Sequence, residues 1–156
     1  MLEFVYDHDE EISQFIAQLA PPSGGGFGRC KTIGVIDEDG RLIAGLVYFN
    51  YDPNAAVIEF GAAAISPRWF NRATYRRMFE YPFMQCGCQM LFGRVRSDNE
   101  ALLVQLARLN FNLTYVPRMY GRSEDGVLCT LTDDQWLDNA LSKRIYRDAR
   151  KKQEAA

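Results

Sequence analysis

Ile65-Ser66-Pro67-Arg68-Trp69-Phe70-Asn71-Arg72-Ala73 is the stretch whose reading decides the fold. An apolar run, Val57 to Ile65, precedes it and reads as a strand; Asn71 to about Met84 reads as a helix. Pro67 stops the strand, because proline has no N–H to give a sheet ladder. Asn71 is a cap for the helix that follows, and Arg72 sets a positive charge in its first turn. A strand that stops short and turns the N–H groups of a helix start toward one point makes an anion site suited to phosphate.

Working outward, Cys30–Asp37 and Arg41–Tyr51 read as strands joined by Glu38-Asp39-Gly40, and Asp52-Pro53-Asn54 turns into the strand Ala56–Ile65. That meander carries one interior carboxylate, Glu59, in a run that otherwise reads as covered on both faces. Upstream, Leu2–Tyr6 alternates as a short strand. Asp7 and Glu10 have capping-box spacing ahead of a helix with the stripe Ile12, Phe15, Ile16 and Leu19. The Pro21–Gly28 segment, rich in glycine, ends that helix and is either a lid or mouth loop or a plain connector.

Downstream, the helix from Asn71 to Cys86 is expected to bend at Pro82 and end at Gly87. Met90–Val95 is a strand, placed parallel to Val57–Ile65 by the length of the crossover. Ser97-Asp98-Asn99 caps a helix with the stripe Leu102, Leu103, Leu106 and Leu109, and Asn110 ends it in a left-handed conformation. Leu113–Pro117 and Val127–Thr132 form a hairpin around Glu124-Asp125-Gly126. Thr132-Asp133-Asp134 opens a last helix through Trp136, Leu137, Ala140, Leu141 and Ile145, so residues 133–156 form a C-terminal helix and basic tail.

The chain of 156 residues is long enough for one domain with its own core, and ten Phe and eight Tyr supply bulk for it. A net charge of −2 gives no general attraction to nucleic acid or anionic lipid, and no run approaches the roughly 18 apolar residues of a membrane span. Met1-Leu2-Glu3-Phe4 has neither a basic leader nor a cleavage site, which sets the expectation of a cytoplasmic protein. The four cysteines, Cys30, Cys86, Cys88 and Cys129, have only His8 as an imidazole partner, so reduced, buried thiols are expected and no metal site.

The order strand, helix, three-strand meander, helix, strand, helix, hairpin resembles the GNAT superfamily of acetyl-CoA-dependent N-acetyltransferases, and most of all its branch found in phage and prophage genomes. The residues that carry the resemblance are Ser66–Arg72, Phe79-Glu80-Tyr81-Pro82-Phe83, Gly87-Cys88, Asp98-Asn99-Glu100 ahead of Leu109-Asn110-Phe111, and Glu124–Leu128. It covers roughly residues 32–136 and implies an α/β fold: a mixed, mainly antiparallel sheet flanked by helices, splayed between Val57–Ile65 and Met90–Val95. Pantetheine lies in that gap in relatives, with the pyrophosphate on the amides of the loop after the third strand. The resemblance thus implies acetyl-CoA as cosubstrate, held by Ala64, Ile65, Arg68, Trp69, Phe70, Asn71, Arg72, Ala73 and Asn99. Glu59 matches the general base of many members.

Departures from the family pattern bear on activity. Relatives read Arg/Gln-x-x-Gly-x-Gly/Ala in the loop; here Asn71 and Ala73 stand at the two glycine positions. Many relatives carry Tyr seven residues beyond the Asn of the next helix, as the acid that protonates the departing thiolate. Leu106 stands there and has no proton to give. Each site residue has a plain structural alternative: Glu59 at a groove edge, Asn99 as a cap, Arg68 and Arg72 as solvated charges, Trp69 and Phe70 as packing.

The leading function is acyl transfer to a primary amine of a small molecule or protein. The alternative is a weak or inactive GNAT-fold domain that binds CoA or a protein partner. A homodimer fits either. Nucleic-acid binding through Lys143, Arg144, Arg147, Arg150, Lys151 and Lys152 is the third reading. It is set against a helix end that favours cations anyway.

Overall fold

Asp9 illustrates how the described chain departs from its local signals. The computed structural model describes residues 1–22 and 26–155; of the expected loop Pro21–Gly28, the stretch Ser23–Gly25 lies outside the described residues. Helix α1 (Asp9–Leu19) follows strand β1 (Glu3–Val5), but the Asp7–Glu10 capping box does not form. Asp7 takes a left-handed φ of 64°, and His8 occupies the cap position with no side-chain cap bond. The Asp9 carboxylate instead accepts from the Thr32 amide and hydroxyl, both at 2.8 Å, tying α1 to strand β2 (Cys30–Ile36).

Contacts divide the chain into two compact units, Met1–Tyr81 and Pro82 onward. In the first, β1, β2, β3 (Leu42–Asp52) and β4 (Val57–Ala64) form an antiparallel run in that order. Asp37 builds the β2–β3 turn, its carboxylate accepting from the Asp39 and Arg41 amides at 3.0 Å, and Gly40 turns with φ 77°. Asp52 does the same for Asn54 and Ala55. Ile12 and Ile16 of α1 pack with Val47 and Phe49; Leu19, read as part of that stripe, is exposed. A Cβ on Gly45 would come within 2.9 Å of Ile16, so the close seat of α1 on β3 needs that glycine.

Helix α2 (Arg72–Phe79) buries Tyr75, Met78 and Phe79, and the Tyr48 hydroxyl donates to the Met78 carbonyl at 2.6 Å. Its continuation, Glu80–Gln85, is a π-turn rather than a bent α-helix. Pro82 lacks the amide that an α-helical ladder would use, which favours a wider turn there.

In the second unit the order is β5 (Met90–Arg96), β7 (Glu124–Thr132), β6 (Asn112–Gly121), all antiparallel. Helix α3 (Glu100–Arg108) precedes β6, and Asn110 takes the expected left-handed conformation, φ 78°. The hairpin turn is not Glu124-Asp125-Gly126: those residues belong to β7, and the turn is Arg122-Ser123, with Gly121 paired to Glu124. The cause is a bulge at residues 117–120. Asp125 accepts from the Arg118 amide at 2.9 Å and from the Tyr115 hydroxyl, so the Asp-Gly pair supports the bulge instead of turning. A Cβ on Gly126 would lie 2.5 Å from the Met119 sulfur and 2.9 Å from the Tyr120 ring.

The C-terminal helix is two helices. Thr132 and Gln135 make a reciprocal capping box for α4 (Asp133–Leu137), and α5 (Ala140–Ala155) follows. Trp136 stacks on Phe83 at 5.0 Å. The six basic residues of the tail are exposed on α5. Cys88 and Cys129 are buried, and desolvation pushes each thiol up to about 11. Cys30 and Cys86 are only half-buried, because they sit at the start of β2 and at the end of the π-turn. No described helix is long and apolar enough to cross a membrane. Among the described residues, no three His, Cys, Asp or Glu gather as metal ligands. The class is mixed α/β, with four antiparallel strands in the first unit and three in the second, flanked by helices.

The Tyr115–Asp125 pair has a pH signature. Hydrogen bonding to Tyr115, then to the Arg118 amide, holds the Asp125 carboxyl below its ordinary 3.8, and the same bond pushes the Tyr115 phenol above 10. A lowered carboxyl pKa contributes stability that is whole above the unfolded value and fades as pH falls through the folded one. Comparing urea midpoints of the parent and Asp125→Asn should give a gap that is steady near neutrality and narrows below about pH 4. A gap that persists undiminished in acid would refute the assignment.

Candidate functional site

The β4–α2 junction begins where the ladder ends. The Ile65 amide donates to the Ile43 carbonyl at 2.8 Å, and Pro67 follows without an amide of its own. The chain then makes one 3-10 turn, Pro67–Trp69, capped by Ser66, whose hydroxyl accepts from the Arg68 amide at 3.3 Å. Thr74, fully buried, fixes the return: its hydroxyl donates to the Trp69 carbonyl at 2.5 Å. The Asn71 side chain accepts from the Thr74 amide at 3.0 Å, the expected cap.

These bonds leave the amides of Phe70, Asn71, Arg72 and Ala73 without an acceptor among the described residues. They are consecutive, they lie at a helix N-terminus, and their donor character suits a phosphate. Asn71 has φ −139°, which is ordinary extended backbone. Asparagine at this position therefore costs no backbone strain.

The arginines differ sharply. Arg68 is engaged with Glu38 at 2.9 and 3.1 Å, and Glu38 also takes the N-terminal ammonium at 3.1 Å. Glu38 sits below its ordinary pKa through a hydrogen bond with its own backbone, then through the N-terminus and Arg68. Arg76 pairs with Glu80 at 3.3 Å, and Arg77 donates to the Tyr6 hydroxyl at 3.2 Å. Arg72, exposed in the first turn of α2, has no ion-pair partner among the described residues. Of the two arginines read from the sequence, Arg72 is the one whose charge is uncommitted.

Trp69 is half-buried against the cluster Val35, Ile43 and Ala44, and its ring meets Phe70 at 5.2 Å, edge to face. Ala64 is half-buried and paired with Ala44; Ile65 is 48 % exposed. Along residues 64–73, Ile65, Pro67, Arg68, Asn71, Arg72 and Ala73 are exposed, while Ala64, Ser66, Trp69 and Phe70 are half-buried.

Glu59 is 4 % exposed and lies opposite Phe49 in the β3–β4 register. Its carboxylate accepts from the Asn50 side-chain amide at 3.0 Å. Asn50 was not legible as a site residue. Its only local signal was an asparagine beside the Asp52-Pro53-Asn54 turn, where left-handed backbone is common. A buried carboxylate with a fixed donor is a group that can hold and release a proton at a defined place.

Asn99 belongs to the second unit. It is the N-cap of α3, its side chain accepting from the Leu102 amide at 3.4 Å while its own amide donates to the Arg96 carbonyl at 3.1 Å. Capping alone thus accounts for the Asn99 side-chain oxygen. Leu106, one helix face along, is 2 % exposed and part of the packing.

No protein-family model matches this chain, and no curated protein matches it in sequence. Solved structures do. A mutant form of the spermidine/spermine N-acetyltransferase SpeG from Vibrio cholerae superposes with a TM-score of 0.72 at 14% identity, covering 90% of this chain and 99% of its own. The dodecameric spermidine N-acetyltransferase of Vibrio cholerae in its intermediate state gives 0.69 at 14% identity, covering 89% and 98%. SpeG in complex with manganese ions gives 0.68 at 14% identity over 89% and 96%. The similarity extends over nearly the whole chain, and the fold is GNAT-like.

Proposed function

We propose that this protein belongs to the GNAT superfamily and transfers the acetyl group of acetyl-CoA to a primary amine. The observation that carries the reading is the run of four amides, Phe70 to Ala73, left without acceptors beside the uncommitted Arg72. That donor set suits a pyrophosphate, with Arg72 adding charge-assisted hydrogen bonds. The polyamine acetyltransferases that share the fold support an amine as the acceptor class. A phage-branch kinship and a cytoplasmic setting belong to the same proposal. So does self-association, which one matched structure shows as a dodecamer.

Acetyl-CoA supplies an activated thioester; the chain supplies placement and proton handling. Primary amines are mostly protonated at neutral pH, and attack needs the neutral form. Glu59 takes that proton at its carboxylate, fixed by Asn50. The remaining rate enhancement comes from holding two reactants together. Leu106 offers no acid, so the sulfur released when the thioester C–S bond breaks takes its proton from water, and turnover rises with pH with no falling limb from a tyrosine at that position.

A second reading, a domain that binds CoA without turnover, is favoured by Leu106 itself, which is packed away where relatives keep a hydroxyl.

Arg72→Glu should weaken acetyl-CoA binding at least about tenfold in calorimetry, since like charge then faces the phosphates. Unchanged affinity in a folded variant would remove the proposed site. Thr74→Val keeps the shape but leaves the Trp69 carbonyl without its donor, with an expected loss of about 1–2 kcal/mol in denaturant stability. Acetyl-CoA affinity should fall with it. Glu59→Gln should leave cofactor binding intact and lower turnover across a panel of amines. Equal turnover at every pH would exclude Glu59 as base. Acetyl-CoA binding with no acetylation of any amine would favour the second reading.

A further inference from the structure

Strand β3 breaks its register between Phe49 and Asp52: Asn50 and Tyr51 face a single residue, Ile58, on β4. Asn50 sits in that bulge at φ 51°, a left-handed conformation. Side chains alternate along a regular strand. Phe49 is paired with Glu59 and shares its face, so an unbulged Asn50 would point to the opposite one. The bulge brings it round, and its side-chain amide reaches the Glu59 carboxylate at 3.0 Å. Bulges are a means of re-aiming a single side chain, and left-handed backbone is a cost that most side chains resist and asparagine tolerates.

We propose that Asn50 is a positioning residue: it fixes the Glu59 carboxylate in the orientation from which it takes a proton from the acceptor amine. This inference rests on the reading of Glu59 as base and adds the group that aims it. An amide can only donate to a carboxylate, so the bond also fixes which way the Asn50 amide is turned. The carboxylate is thereby held by an element that the β3–β4 turn brings close in sequence, independent of the cofactor loop.

The test uses Asn50→Gly, which takes φ 51° without strain and removes the donor, and Asn50→Asp, which keeps the shape but cannot donate when ionised. Both are measured in the full chain alongside Glu59→Gln and the double variant Asn50→Gly/Glu59→Gln. The expected result is an acetyl-CoA dissociation constant within about twofold of the parent in all four. Turnover should fall at least about tenfold in both Asn50 variants, with the Michaelis constant for acetyl-CoA unchanged. In the Glu59→Gln background, Asn50→Gly should add no further loss, because a residue that acts only through Glu59 has nothing left to aim. Additive losses, or full turnover in Asn50→Gly beside a damaged Glu59→Gln, would overturn the positioning role and leave the base intact. No effect of Glu59→Gln, or no turnover by the parent on any amine, would overturn both readings together.

Discussion

Pro67 has no amide to give, and the last sheet bond of the β4 segment, from Ile65 to Ile43, comes two residues before it. Everything particular about the junction follows from that missing donor. The backbone cannot continue as a strand, so it closes a 3-10 turn under the Ser66 cap and re-enters helix at Asn71. Thr74 then joins both sides of the corner, giving its hydroxyl to Trp69 and its amide to Asn71. Polar backbone groups in a corner of this kind need partners, and this one supplies them to carbonyls while leaving the amides of residues 70–73 without an acceptor among the described residues.

Charge around that row is arranged by subtraction. Glu38 is shared between Arg68 and the N-terminal ammonium, and Glu80 takes Arg76. Surface pairs of this sort add little stability. Beside them Arg72, in the first turn of α2, has no ion-pair partner among the described residues. The same economy appears in the second unit, where Arg96 meets Glu124 at 2.6 Å and lies over the Tyr120 ring at 4.4 Å.

The junction was legible because proline and asparagine act locally: one lacks a donor, the other caps the next turn, and neither needs distant partners to do so. The meander turns at Asp37 and Asp52, and the left-handed Asn110, were legible for the same reason. Asp125-Gly126 misled for the opposite reason. Asp-Gly is a strong turn signal, but here its carboxylate is bound by Tyr115 and Arg118, residues that a local pattern cannot bring together. Asp9 is a similar case: its acceptors' partner, Thr32, lies on another element. Asn50 was invisible because its role depends on a register slip, and register is a property of two strands. Arg68 and Arg72 look alike in sequence; only the position of Glu38 separates them.

The burial of Cys88 and Cys129 has a consequence for chemistry with thioesters. A thiol held near 11 is ionised to only about one part in 10⁴ at neutral pH, and the thiolate is the reactive form. Buried sulfur of this kind is a poor nucleophile toward an acyl donor and a poor partner for disulfide exchange with a cofactor thiol. Cys30 is turned the same way, its thiol raised by desolvation and then by the charge of Asp9. Cys88 and Cys129 are thus shielded from acylation, and oxidation meets the same barrier.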